Sequence, residues 1–131
     1  MHRIVIVDDD ERIVELMELI LSSKGYSVCS VTDSEKAFEV IRQYQPDLVL
    51  LDLMMPLVDG WSVLREMRRH KATSSIPVVV VTAKSGCEEE ARRCENDIQG
   101  LVIKPFEFDD LLSKVEDVLR QQWVGGKMAS S

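Results

Sequence analysis

Long apolar runs are missing from this chain. Its uninterrupted hydrophobic stretches have the length of single strands, far short of the roughly 20 residues that span a bilayer. The amino terminus has no secretory apolar core either. Met1-His2 runs straight into a strand-like segment, as expected for the natural start of a cytosolic protein. Cysteine is scarce: Cys29, Cys87 and Cys94 form no CxxC pair and stand near no histidine cluster. That scatter argues against a disulfide scaffold or a zinc site and suits reduced thiols. His2 and His70 are the only histidines, and neither belongs to a motif. No GxGxxG opens the first strand-to-helix turn, which removes a dinucleotide site. Cationic residues are outnumbered 16 to 23, giving a net charge of -7, so this domain is not expected to grip nucleic acid directly. No internal repeat or low-complexity segment appears.

What is present is ordinary globular composition, 45% hydrophobic and 30% charged, in 131 residues, enough for one compact domain. Strand and helix patterns alternate throughout. Strand-like runs occupy 3–7, 27–31, 47–51, 76–81 and 100–103. Between them lie helical patterns: Ile13, Leu16, Met17, Ile20 and Leu21, then Ala37, Phe38 and Ile41, then Val63, Leu64 and Met67. A weakly amphipathic charged helix is predicted over 88–96. The last helix carries Phe108, Leu111, Leu112, Val115, Val118 and Leu119. Asp10 and one of Thr32, Asp33 or Ser34 can cap helices, and Gly25 offers a left-handed stop. Five such units favour a doubly wound parallel sheet. The tail from Gly125 reads as a linker stub, a free end or a cloning remnant.

Four strands end in functional groups: the first in Asp8 and Asp9, the third in Asp52, the fourth in Thr82, the fifth in Lys104. In open α/β sheets ligands bind at these carboxyl ends. If Asp8, Asp9 and Asp52 converge, their mutual repulsion would raise some pKa values or recruit a cation. Oxygen donors without Cys or His suit Mg²⁺, with a backbone carbonyl after Asp52 able to complete the shell. A lysine, a hydroxyl, a metal and one carboxylate free to attack are the equipment for phosphoryl transfer to aspartate.

Val7-Asp8-Asp9, the run Leu51-Asp52-Leu53-Met54-Met55-Pro56-Leu57-Val58-Asp59-Gly60, Val81-Thr82-Ala83 and Lys104-Pro105-Phe106 together resemble the receiver domain of two-component response regulators. The likeness runs from about Arg3 to about Gln122, implying a receiver domain over 1–122 and a tail over 123–131. It implies a flavodoxin-like (βα)5 sandwich with strand order 2-1-3-4-5. Asp52 would accept a phosphoryl group from a sensor histidine kinase or a phosphotransfer protein. Asp8, Asp9, Asp52 and the Met54 carbonyl would hold Mg²⁺, Thr82 would hydrogen-bond the phosphoryl group and Lys104 would pair with it. The Lys104-Pro105 peptide would be cis. The resemblance further implies a cytoplasmic phosphoprotein, a downstream effector as partner, no membrane contact and homodimerisation as an option. Its chemistry would be self-catalysed phosphorylation and autodephosphorylation, not turnover of a small molecule.

Two departures stand out. The family usually has Tyr or Phe three residues before the lysine; here it is Leu101. The turn before the fifth strand reads Asn96-Asp97-Ile98-Gln99-Gly100. Leu101 favours the alternative of a receiver-like module that binds proteins without phosphorylation; the complete acid pair, Asp52, Thr82 and Lys104 weigh against it. A haloacid dehalogenase-like phosphatase would need a second acid at the position of Met54. Trp61 and Trp123 read as packing residues, Met54 and Met55 as a pocket rim, and Glu88-Glu89-Glu90 as a solvated face.

Overall fold

The computed structural model describes residues 2–83 and 97–124, with side chains through Gln121. The chain order is β1 (Arg3–Val7), α1 (Glu11–Ser22), β2 (Ser27–Val31), a 3-10 turn (Ser34–Lys36), α2 (Ala37–Tyr44), β3 (Leu48–Leu51), α3 (Gly60–Arg69), β4 (Val78–Thr82), β5 (Gly100–Ile103) and α4 (Phe108–Val124). All strand pairs are parallel, in the order β2-β1-β3-β4-β5. This is the predicted doubly wound, flavodoxin-like architecture. The helix predicted over 88–96, Cys87, Cys94, the Trp123 side chain and the tail from Gly125 lie outside the described residues.

Strand alternation decides the layering. Val5, Val7, Val49, Leu51, Val78 and Val80 face α2 and α3, burying Ile41, Val63, Leu64 and Met67 against them. Their neighbours Ile4, Ile6, Leu48, Leu50, Val79 and Val81 face α1 and α4, against Met17, Leu21, Leu111 and Val115. Because both faces are covered, the central strands are continuously apolar instead of alternating.

Local signals set most boundaries. Asp10 caps α1 by accepting from the Arg12 N–H at 3.0 Å, and Asp33 caps the 3-10 turn by accepting from the Glu35 N–H at 3.0 Å. Gly25 takes φ +89° after α1. Gln45, ahead of Pro46, ends α2 in a left-handed conformation at φ 50°.

Four expectations need correction. α1 turns Val14 into the core, and Ile13 and Leu16 are only half-buried, because the stripe runs through Val14, Met17 and Leu21. Phe108 is 56% exposed, since it opens α4 before that helix's buried stripe begins. Met55 belongs to the core. β4 begins at Val78, because Pro77 has no N–H for a ladder, and it includes Thr82 as its last residue.

Candidate functional site

The parallel register brings the carboxyl ends of β1, β3, β4 and β5 side by side. Asp8 directly follows β1, and its N–H donates to the Val31 carbonyl at 3.2 Å. Asp52 directly follows β3, and its N–H donates to the Val7 carbonyl at 2.9 Å, so the β1–β3 ladder carries on to the acid itself. Thr82 closes β4, and its carbonyl accepts from the Lys104 N–H at 2.8 Å. The Lys104-Pro105 peptide is cis, as the resemblance implied.

Side-chain geometry makes this a single site. Carboxylate oxygens of Asp8, Asp9 and Asp52 lie within 4.8 Å of one another. Asp8 and Asp52 are buried, whereas Asp9 faces solvent. The Lys104 ammonium lies 2.7 Å from Asp8 Oδ2 and 3.7 Å from Asp52 Oδ2. Asp8 Oδ1 accepts from the Asp10 N–H at 2.9 Å, and Asp52 Oδ1 from the Met54 N–H at 3.2 Å. Thr82 is fully buried, and its hydroxyl has no hydrogen-bond partner among the described residues.

These contacts leave Asp52 electrostatically discontented. Burial raises its pKa first and the Asp8 charge second, while Lys104 and the Met54 N–H pull the other way; the balance sits at about 6. Among the described residues three carboxylates face a single ammonium, and that ammonium is closer to Asp8. A hard divalent cation would relieve the surplus negative charge. The all-oxygen donor set fits such an ion and lacks the sulfur or imidazole of a zinc centre. A buried hydroxyl without a partner adds a donor suited to an incoming anion.

The side chains of Asp8, Asp9, Asp52 and Lys104 therefore assemble, and Thr82 is placed at the same sheet edge by its backbone bond to Lys104. The Met54 side chain points outward, 55% exposed, leaving its backbone as the part that faces the acids. Leu101 is half-buried against the α2–α3 side of the core.

Sequence reading gave no framing role to the residues that hold the site in place. Gly60 sits so close to the acid loop that a Cβ there would lie 2.3 Å from the Asp52 carbonyl oxygen and 2.7 Å from Leu53 Cα. Arg68 donates to the carbonyls of Ile76 at 2.8 Å and Ser74 at 3.2 Å, and to that of Asp97, tying the end of α3 to the approaches of β4 and β5. Gln99 exchanges two bonds with Val78, accepting from its N–H on Oε1 and donating its own N–H to the carbonyl, both at 2.7 Å. Ser34, one of three cap-type residues in a row, is buried and leaves the capping to Asp33. Three caps for one helix start was the available signal.

A family model described as the response regulator receiver domain matches residues 4–116. The DNA-binding dual master transcriptional regulator RpaA of Synechocystis is 36% identical over 121 residues, which are 92% of this chain and 50% of the relative. The DNA-binding response regulator MtrA of Mycolicibacterium smegmatis is 35% identical over 120 residues, 92% of this chain and 51% of its own. The chain thus spans about half the length of the curated relatives it matches. Among solved structures, the amino-terminal domain of a response regulator receiver protein from Methanoculleus marisnigri superposes with a TM-score of 0.76 at 35% identity, covering 91% of this chain and 97% of that one. A CheY-like receiver domain protein from Methanospirillum hungatei gives a TM-score of 0.84 at 25% identity, covering 93% and 96%.

Proposed function

The chain belongs to the response regulator receiver domain family, and from that premise we propose that Asp52 is the phosphoacceptor of a two-component switch. The observation that carries this is a buried carboxylate with a pKa raised to about 6, beside two more acids, an ammonium and an unpartnered hydroxyl. In the transfer, an Asp52 carboxylate oxygen attacks phosphorus in the phosphohistidine of a histidine kinase or phosphotransfer protein. The P–N bond breaks, and the imidazole leaves with its electron pair.

Asp8, Asp9, Asp52 and the Met54 carbonyl would hold Mg²⁺, which would neutralise the charge on the phosphoryl oxygens and the acids. Lys104 then exchanges its bond with Asp8 for one with the phosphoryl group. The Thr82 hydroxyl, having nothing to give up, donates to another phosphoryl oxygen. These two displacements connect phosphorylation to the ends of β4 and β5. Reversal is hydrolysis, in which water attacks phosphorus and Asp52 leaves as carboxylate.

Among the described residues no helix is long and apolar enough to cross a membrane. The relatives named above are DNA-binding regulators about twice this length. A longer protein carrying this domain would deliver its output through an effector domain or partner. With a net charge of -7 the receiver is poorly suited to grip a phosphate backbone by itself. Leu101 supports a second reading, a binding module independent of phosphate, because the half-buried leucine has no hydroxyl to engage a partner in the switched state.

Incubation with acetyl phosphate and Mg²⁺ followed by intact-mass spectrometry separates the two. A single phosphoryl adduct, lost in Asp52→Asn and in EDTA, is the expected result. A folded, Mg²⁺-binding protein with no adduct would favour the binding module.

A further inference from the structure

The loop from Leu53 to Asp59 connects the phosphoacceptor to α3, and it is pinned at two places. At its ends the Gly60 N–H donates to the Leu53 carbonyl at 3.1 Å. At its crest the pin comes from another part of the chain. The Ser34 hydroxyl donates to the Pro56 carbonyl at 2.8 Å and accepts from the Val58 N–H at 3.4 Å. Ser34 is 6% exposed, and no other side chain bonds the crest among the described residues. Between those two bonds stands Leu57, at φ 70° and 83% exposed. The turn around Leu57 is closed by the loop's own backbone, the Val58 N–H donating to the Pro56 carbonyl at 2.8 Å. The Ser34 hydroxyl bonds both ends of that turn and anchors it to the segment before α2.

We propose that Ser34 is a positioning residue for the phosphorylation of Asp52, acting through the loop that carries Met54. This rests on the phosphoacceptor reading of Asp52. The Met54 N–H bonds Asp52 Oδ1 at 3.2 Å, so a shift of the crest is passed to the acceptor carboxylate and to the peptide beside it. Removing a group that hydrogen-bonds a metal ligand characteristically costs about 10-fold or more in affinity or rate, and Ser34 acts one step further out, through the loop. The device is a serine on the 3-10 turn before α2, separate from the acids, lysine and threonine of the site.

The test compares Ser34→Ala and Ser34→Thr with Thr73→Val. Thr73 is a fully buried hydroxyl that donates to the Met67 carbonyl at 2.6 Å, away from the acids, and reports what mere loss of a structural bond does. Each protein is assayed for Tm, for Mg²⁺ affinity by tryptophan fluorescence, and for initial phosphorylation rate over a range of acetyl phosphate concentrations. Ser34→Ala is expected to lower Mg²⁺ affinity and the saturated rate by about 10-fold, and Ser34→Thr to restore both. Thr73→Val is expected to lower Tm while leaving both unchanged. Equal rates and affinities in Ser34→Ala and wild type would overturn the proposal, as would an equal loss in Thr73→Val. Should the alanine variant fail to fold, Ser34→Gly is judged by the same criteria. Absence of any adduct on the wild type would instead sink the phosphoacceptor reading.

Discussion

At the scale of single residues, Asp52 and Thr82 are both poorly satisfied in the resting protein, and each predicts a measurable cost. The Asp52 pKa is raised from 3.8 to about 6 on folding, so between those values the folded state binds more protons than the unfolded. The favourable neutral form is fully populated below the unfolded value, and its benefit is lost as pH rises through about 6. In EDTA, Asp52→Asn should therefore raise Tm at neutral pH, with the gain shrinking toward about pH 4. Thermal unfolding of both proteins across that range checks the sign; a constant difference would contradict it. Thr82 carries a buried hydroxyl with no partner among the described residues. Thr82→Val should leave stability unchanged or improve it by about 1 kcal/mol. The same substitution should slow phosphorylation by roughly 10-fold or more, because a donor to the transferring group is gone. Unaltered kinetics would remove Thr82 from the site.

At the scale of elements, the connections that frame the acids matter more than the strands that deliver them. Gly60→Ala places a carbon 2.3 Å from the Asp52 carbonyl oxygen, and α3 must move away from the acid loop to admit it. A loss of about 1–3 kcal/mol is expected, together with slower phosphorylation. Gly25→Ala meets no atom within 4 Å but must adopt φ +89°. It should lower Tm while leaving the phosphorylation rate alone. The pair separates strain at the site from strain elsewhere, and unfolding plus mass-spectrometric kinetics reads both. These same elements mark what the sequence could reveal. Strands, Asp10, Gly25 and the acids were legible because apolar runs and caps are local signals. Val14, Arg68, Gln99 and Ser34 were not, because their roles depend on which helix face meets the sheet and on partners distant in the chain. Arg68 reads as an ordinary charge until Ile76, Ser74 and Asp97 are folded around its guanidinium. Burial pushes its pKa down from the usual arginine value, against the opposing pull of the Asp97 charge.

At the scale of the whole molecule, a parallel sheet covered on both faces leaves its chemistry one place to go, the carboxyl edge, where order β2-β1-β3-β4-β5 puts Asp8, Asp52, Thr82 and Lys104 side by side. The surplus of acids over ammonium makes the fold itself sensitive to cation. Adding Mg²⁺ at about 100 times its Kd should stabilise the protein by about 3 kcal/mol, and Asp8→Asn should abolish most of that gain. A Tm that ignores Mg²⁺ would argue against the acids as its ligands. The most direct measurement locates the phosphoryl group itself: phosphorylate with acetyl phosphate and Mg²⁺, reduce with borohydride, and sequence the peptides by mass spectrometry. The account predicts homoserine at position 52 alone. Homoserine at position 8 or 9, or at none, would contradict it.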